Sequence, residues 1–260
     1  MRYALAVEYD GRDFCGFQSQ PDGCAVQDAL ERAIASIAGQ AVRVSAAGRT
    51  DAGVHATSQI VHFDTSASRP LQAWVRGVNA MLPPTIAVLW AALAIDEFHA
   101  RFAARARHYS YLLLMRGERP ALNAGRVGWY HRPLDVEAMQ RALDGVNGEH
   151  DFSSFRAAEC QAKTPVRTLH VARVCALQHD LIRFDFSADG FLHHMIRNMI
   201  GALIPIGAGA KSIASLRELL DARDRTRGPA TFPAHGLYFT GADYDDRFAL
   251  PPTRRDVPAF

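Results

Sequence analysis

Ala47-Gly48-Arg49-Thr50-Asp51-Ala52-Gly53-Val54-His55 is a polar loop with two glycines, set between two strand-like runs. Val42 to Ala46 precedes it and Gln59 to Thr65 follows it, so two extended segments meet without a helix between them. Upstream, Tyr3, Leu5, Val7 and Tyr9 fall on one face of an alternating run, which predicts a first strand. Asp10 to Gly23 holds three glycines and a proline and reads as a long loop. Val26, Leu30, Ile34 and Ile37 then recur at helical spacing, with Gly39 placed to stop the helix.

Downstream, Leu71 to Leu82 reads as a helix ended by Pro83-Pro84, and Thr85 to Ile95 and His108 to Met115 read as strands. Residues 117–132, rich in glycine and proline, read as a connection between an N-terminal α+β half (1–116) and a C-terminal one (133–260). In the second half, Val136, Met139, Leu143 and Val146 mark a helix, and Val166 to Leu177 and Leu181 to Ser187 are strands. A helix follows around His194 to Ile206, interrupted near Pro205, then a short amphipathic one and a last strand near Leu237. Strands and helices are interspersed without strict βαβ order. The expected class is therefore α+β with a largely antiparallel sheet.

Composition narrows the possibilities further. A chain of 260 residues with 48% apolar and 22% charged residues can bury a sizeable core, which excludes disorder as the dominant state. The longest apolar run, Ile86 to Ile95, is half of the roughly 20 residues a membrane helix needs. Met1-Arg2-Tyr3 leads straight into a charged, alternating segment, so no secretory signal is read and a cytoplasmic protein is expected. Cys15, Cys24, Cys160 and Cys175 form no C-x-x-C pair, which argues against a disulfide framework and against a cysteine-rich zinc site.

Only Lys163 and Lys211 are lysine, so nearly all of the 29 cationic residues are arginine. Coding bias explains part of that excess, yet arginine also grips phosphate and stacks on bases. From Phe98 to Gly117 the chain carries Arg101, Arg105, Arg107, Arg116, His99 and His108 and no acid. The formal net charge of +2 hides this basic stretch.

Four segments carry candidate chemistry. Asp51 stands between glycines, which let a backbone approach a ligand closely, and Arg49 is near enough to favour its charged form. A carboxylate acting as nucleophile must be ionised; a glycine-bounded turn with a surface ion pair would show the same residues. In Phe191-Leu192-His193-His194-Met195-Ile196-Arg197-Asn198, a helix would put His193 and Arg197 on one face. No third metal ligand is evident beside the two histidines, so no metal is expected. Arg105-Ala106-Arg107-His108-Tyr109-Ser110-Tyr111 interleaves bases with aromatics, as a nucleic-acid surface does, although a strand with core tyrosines reads alike. Asp151-Phe152-Ser153-Ser154-Phe155-Arg156 is a polar loop with aromatic anchors.

Taken in order with Tyr9-Asp10-Gly11, Gly16-Phe17-Gln18 and Pro233-Ala234-His235-Gly236-Leu237-Tyr238, these segments resemble the bacterial tRNA pseudouridine synthase A family from residue 3 to about 244. Phe17 stands where that family commonly has tryptophan, and the tail after Tyr244 has no match. The resemblance implies the pseudouridine synthase fold, two similar halves sharing a largely antiparallel mixed sheet with flanking helices and a central cleft. It implies a cofactor-free isomerisation of uridine to pseudouridine at positions 38, 39 and 40 of the tRNA anticodon stem-loop, by a homodimer. Asp51 matches the essential aspartate, Tyr109 the tyrosine that packs on the target base, and Arg49 and Arg197 the arginines that pair with the aspartate or open the RNA stack. An RNA-binding module without chemistry would have lost these residues. A nucleoside glycosidase usually calls for two carboxylates, where the Gly48–His55 loop offers one.

Overall fold

A computed structural model describes residues 1–258 as an α+β chain in two compact units. The first comprises residues 1–107 and 238–258, the second residues 108–237.

In the first unit, β1 (Arg2–Tyr9) lies between β3 (His55–Asp64) and β4 (Ile86–Ala94), antiparallel to both. The order is β4-β1-β3-β10, with β10 (Leu237–Asp243) parallel to β3 and the short β2 (Ser45–Ala46) on β3. Tyr3, Leu5, Val7 and Tyr9 are buried as the alternation requires, but Ala4 and Ala6 on the opposite face are fully buried too. A central strand covered on both faces tolerates only small side chains on the tighter one. Tyr3 packs against Phe63 and Trp74, the latter with ring centroids 5.0 Å apart. Trp74 comes from the helical stretch expected at 71–82, whose Ala73–Gly77 turn is a wider π turn before α2 (Val78–Met81).

Helix α1 (Val26–Ala38) buries Val26, Leu30 and Ile34, and Gly39 ends it with φ of +70°. The strand expected over Val42 to Ala46 shrinks to two residues because α1 takes Val44's hydrogen bonds. Glu31 accepts from the Val44 amide at 2.9 Å, and the Gln27 side chain donates to the Val44 carbonyl at 3.2 Å. Cys15 and Cys24 are joined in a disulfide, contrary to the expectation from cysteine spacing. The long loop folds back on itself and brings their Cα atoms to 5.6 Å, a proximity that separation along the chain does not reveal.

The tail that matched nothing in the sequence also has a place. Thr57 Oγ1 donates to the Arg255 carbonyl at 2.5 Å and Ser58 Oγ to that of Thr253 at 2.9 Å, while Arg255 pairs with Glu8 at 2.8 Å. The tail thereby supplies partners for buried hydroxyls of β3.

In the second unit the order is β5-β9-β8-β7, formed by β5 (Ala106–Met115), β7 (Gly148–Asp151), β8 (Val166–Ala176) and β9 (Leu181–Ala188). Strand β6 (Gly128–Tyr130), within the expected connection, pairs in parallel with β5. Helices α3 (Val136–Asp144), α4 (Met195–Gly207) and α5 (Ser215–Ala222) flank these strands. Helix α4 runs through Pro205 near its C-terminal end instead of being interrupted there; the proline's missing N–H removes one bond of the ladder, the one to the Gly201 carbonyl.

Candidate active site

Asp51 opens a tight turn in the loop between β2 and β3. The Val54 amide donates to the Asp51 carbonyl at 3.2 Å, and Gly53, with φ of +78°, takes the left-handed position such a turn requires. Asp51 is half-buried. Its loop is held from three sides.

Gln59, fully buried on β3, donates to the Gly48 carbonyl at 2.7 Å, and its side-chain oxygen accepts from the Gly48 amide at 3.4 Å. The Arg107 guanidinium donates to the carbonyls of Ala47 (3.3 Å), Ala104 (2.9 Å) and Arg101. On the third side, the Phe17 amide donates to the Thr50 carbonyl at 3.0 Å, and Tyr9 and Thr50 share a hydroxyl–hydroxyl bond of 2.8 Å. Gly16, with φ of +105°, runs so close that a Cβ there would come within 2.8 Å of the Thr50 carbonyl oxygen. At Gly11 a Cβ would meet the Val54 carbonyl oxygen at 2.0 Å. The glycines at 11 and 16 thus let the 10–17 segment lie directly on the Asp51 turn. Burial pushes the Tyr9 phenol up to about 12, against the hydrogen bonds from Thr50 and Gln59, so it stays protonated as a rigid strut.

His55, next to the turn, accepts at Nδ1 from the Gly11 amide (3.1 Å) and stacks on Tyr238 with centroids 4.7 Å apart. Asp10 Oδ1 lies 3.3 Å from the same nitrogen. Burial alone would raise the Asp10 carboxyl, but hydrogen bonds from Arg12 outweigh it and hold the group below the usual range. Arg49 is exposed and, among the described residues, forms no ion pair. Its guanidinium stands in solvent, where it can meet a phosphate.

The second unit positions Tyr109 and Arg197. Tyr109, on β5, is buried and meets Phe191 edge to face, with centroids 5.2 Å apart. Two residues on, Tyr111 is fully buried and donates to the Pro233 carbonyl at 2.9 Å. Burial raises its phenol far above the ordinary value, and the nearby charge of Arg197 opposes that rise. Arg197, on α4, donates through Nε to the Phe232 carbonyl at 2.7 Å, while its own carbonyl accepts from the Phe232 amide. Helical spacing predicts that His193 and Arg197 share a face. In fact α4 begins only at Met195, and His194 is left-handed with φ of 62°, so His193 stands outside the helix.

Asn198 is the residue sequence reasoning undervalued. Fully buried, it donates to the Phe155 carbonyl at 2.7 Å and accepts from Thr231 Oγ1 at 2.7 Å. It thus ties α4 to the Asp151–Arg156 loop and to the 225–231 segment. The Arg156 guanidinium turns inward to the carbonyls of Cys160 (2.5 Å) and Ala162 (2.9 Å). The only hint of Asn198 is an amide among apolar neighbours on α4, and of Gln59 a long polar side chain inside an apolar strand.

Cys15, Asp22 and Cys24 bring potential metal-ligating atoms within 4.8 Å of one another, but both sulfurs are spent on the disulfide. What the Asp51 turn offers is the carboxylate of a half-buried residue on a braced backbone, suited to nucleophilic or electrostatic work on a ligand.

A family model described as tRNA pseudouridine synthase matches residues 5–103 and 142–245. The match includes Asp51, Arg49 and Arg197, and Tyr109 falls between its two segments. The chain is 60% identical over 253 residues to a protein of Chromobacterium violaceum called tRNA pseudouridine synthase A, covering 96% of both chains. Proteins of the same name from Thiobacillus denitrificans and Methylobacillus flagellatus are 57% and 56% identical, each over 99% of this chain and 99% and 98% of their own.

Proposed function

The chain belongs to the tRNA pseudouridine synthase family, isomerases that act on tRNA, and from that premise we propose that it converts uridine to pseudouridine at positions 38, 39 and 40 of the anticodon stem-loop, with Asp51 as the essential carboxylate.

The observation that carries this reading is the Asp51 turn itself. Its backbone is tied to β3 and to the 10–17 segment, the Thr50 hydroxyl is bonded to Tyr9 of β1, and Asp51 itself is half-buried. Pseudouridine formation breaks the bond from ribose C1′ to uracil N1, turns the base, and joins C1′ to C5. N1 gains a proton and C5 gives one up, so atoms balance without any cofactor. Attack on the sugar and attack on the base both need an ionised side chain delivered to one uridine. A rigid turn supplies it without reorganisation during the reaction.

A base in a stem must first leave its stack, at a cost of a few kcal/mol. Tyr109 is assigned the stacking role, since base–aromatic contact contributes about 1–3 kcal/mol. Arg49, exposed, is assigned to backbone phosphate, and contacts of that kind position RNA without reading sequence. Arg197 is assigned to the substrate as well, with its guanidinium oriented through Phe232. The reading extends, on resemblance alone, to a homodimer working in the cytoplasm.

Incubating unmodified tRNA transcripts with the protein and mapping pseudouridine by carbodiimide labelling and primer extension tests the proposal. Signals confined to positions 38–40 support it. Signals elsewhere, or free uracil in the supernatant, contradict it.

A further inference from the structure

We propose that Cys15 and Cys24 form a reversible thiol–disulfide site that controls the stiffness of the segment bracing Asp51. The two cysteines close a loop with a sequence separation of nine, and both are half-buried, within reach of small thiols. The Cys15 amide donates to the Cys24 carbonyl at 3.2 Å, and the Gln20 side chain donates to the Cys15 carbonyl at 2.9 Å. The flanks of the loop are held as well, since the Gln18 side chain and the Ser19 amide donate to Gln27 Oε1 at 3.1 and 3.0 Å, whereas the tip residues Gln20, Pro21 and Asp22 are exposed.

The residues directly after each cysteine give the site its reach. Gly16 lies against the backbone of Thr50, Asp51 and Ala52, and the Phe17 amide donates to the Thr50 carbonyl. Ala25 is the N-cap of α1, and the Val26 and Gln27 amides donate to the carbonyls of Gly16 and Phe17. The disulfide therefore fastens the brace of the Asp51 turn to the start of a helix. Cutting it returns conformational entropy to the loop and loosens the brace.

The exchange balances with a low-molecular-weight disulfide such as oxidised glutathione as oxidant. One protein thiolate attacks its S–S bond and releases a glutathione thiolate. The second protein thiolate then attacks the mixed disulfide, forms the Cys15–Cys24 bond, and releases the second glutathione. Two protein thiols are oxidised, one glutathione disulfide is reduced, and the two protons pass to the released thiolates. Cys24 Sγ lies 3.1 Å from Asp22 Oδ1, so the thiol formed on reduction has an acceptor at hand.

The test equilibrates the whole protein in buffers of graded reduced-to-oxidised glutathione ratio, alkylates the thiols and reads peptide masses. The same samples are then followed by hydrogen–deuterium exchange, and neither readout depends on catalysis. The expected result is paired loss of Cys15 and Cys24 alkylation, reversed by dithiothreitol. On reduction, exchange should quicken by about tenfold at the Cys15 and Phe17 amides and across residues 50–54. A Cys15→Ser/Cys24→Ser variant should show the fast pattern in every buffer. Alkylation of both cysteines at all ratios would overturn the proposal, as would exchange at 50–54 that ignores their state or a redox response that survives in the double variant. Stoichiometric zinc that protects the reduced pair from alkylation when zinc is added would overturn it in favour of a metal site.

Discussion

Tyr9 and Thr50 join their hydroxyls at 2.8 Å inside the first unit, so the middle strand of its sheet grips the residue that precedes Asp51. Replacing Tyr9 by Phe keeps the ring contact with Phe17 and removes the hydroxyl's hydrogen bonds with Thr50 and Gln59. The expected loss is about 1 kcal/mol of stability by urea unfolding, with a larger relative fall in kcat than rise in KM. A variant with wild-type kcat would show that the strut does not align the carboxylate.

Asn198 supports a second prediction. Truncation to Ala leaves the buried Phe155 carbonyl and the Thr231 hydroxyl without their partner, and an unsatisfied buried group costs about 1–3 kcal/mol. Asn198→Ala should lose roughly 3 kcal/mol in chemical unfolding. Loss within about 0.5 kcal/mol, the usual range for surface changes, would mean that these segments hold together without it.

His62 carries a pH prediction. Burial, then the charges of His99 and Arg2, lower its imidazole to about 4, and its Nδ1 accepts from the Ala100 amide at 3.1 Å. An unfolded histidine titrates near 6.5, so between pH 6.5 and about 4 the unfolded chain holds more protons than the folded one. This contribution to stability is complete above pH 6.5 and is lost as pH falls through the window. His62→Asn, which keeps an acceptor for Ala100, should flatten that part of the profile in pH-resolved thermal melts. An unchanged slope would assign the acid sensitivity to other groups.

Tyr109→Phe separates stacking from proton chemistry. The edge contact with Phe191 survives and tRNA affinity should hold, whereas a hydroxyl engaged in proton transfer would take about a hundredfold of kcat with it. Unchanged turnover would confine Tyr109 to packing.

Much of this was legible in the residues. The Tyr3–Tyr9 alternation, the α1 stripe ending at Gly39 and the two-glycine loop around Asp51 all have local causes, and all formed where their patterns placed them. What escaped depends on contacts far along the chain. Val44 left its strand because of two α1 side chains, and Thr57 and Ser58 are satisfied by a tail almost 200 residues away. The left-handed His194 removed the helical pairing of His193 with Arg197, and no periodicity announces such a residue. Cys15 and Cys24 met because a loop turned back on itself. The Arg105–Tyr111 run read as a nucleic-acid surface, yet within it the Arg107 guanidinium donates to three backbone carbonyls beside the loop.

The most direct measurement is pseudouridine yield in tRNA treated with Asp51→Asn, a change that keeps the side chain's shape and removes its charge. The account predicts tRNA binding near wild type and no pseudouridine above the enzyme-free background. Pseudouridine formed at the wild-type rate by that variant would contradict it.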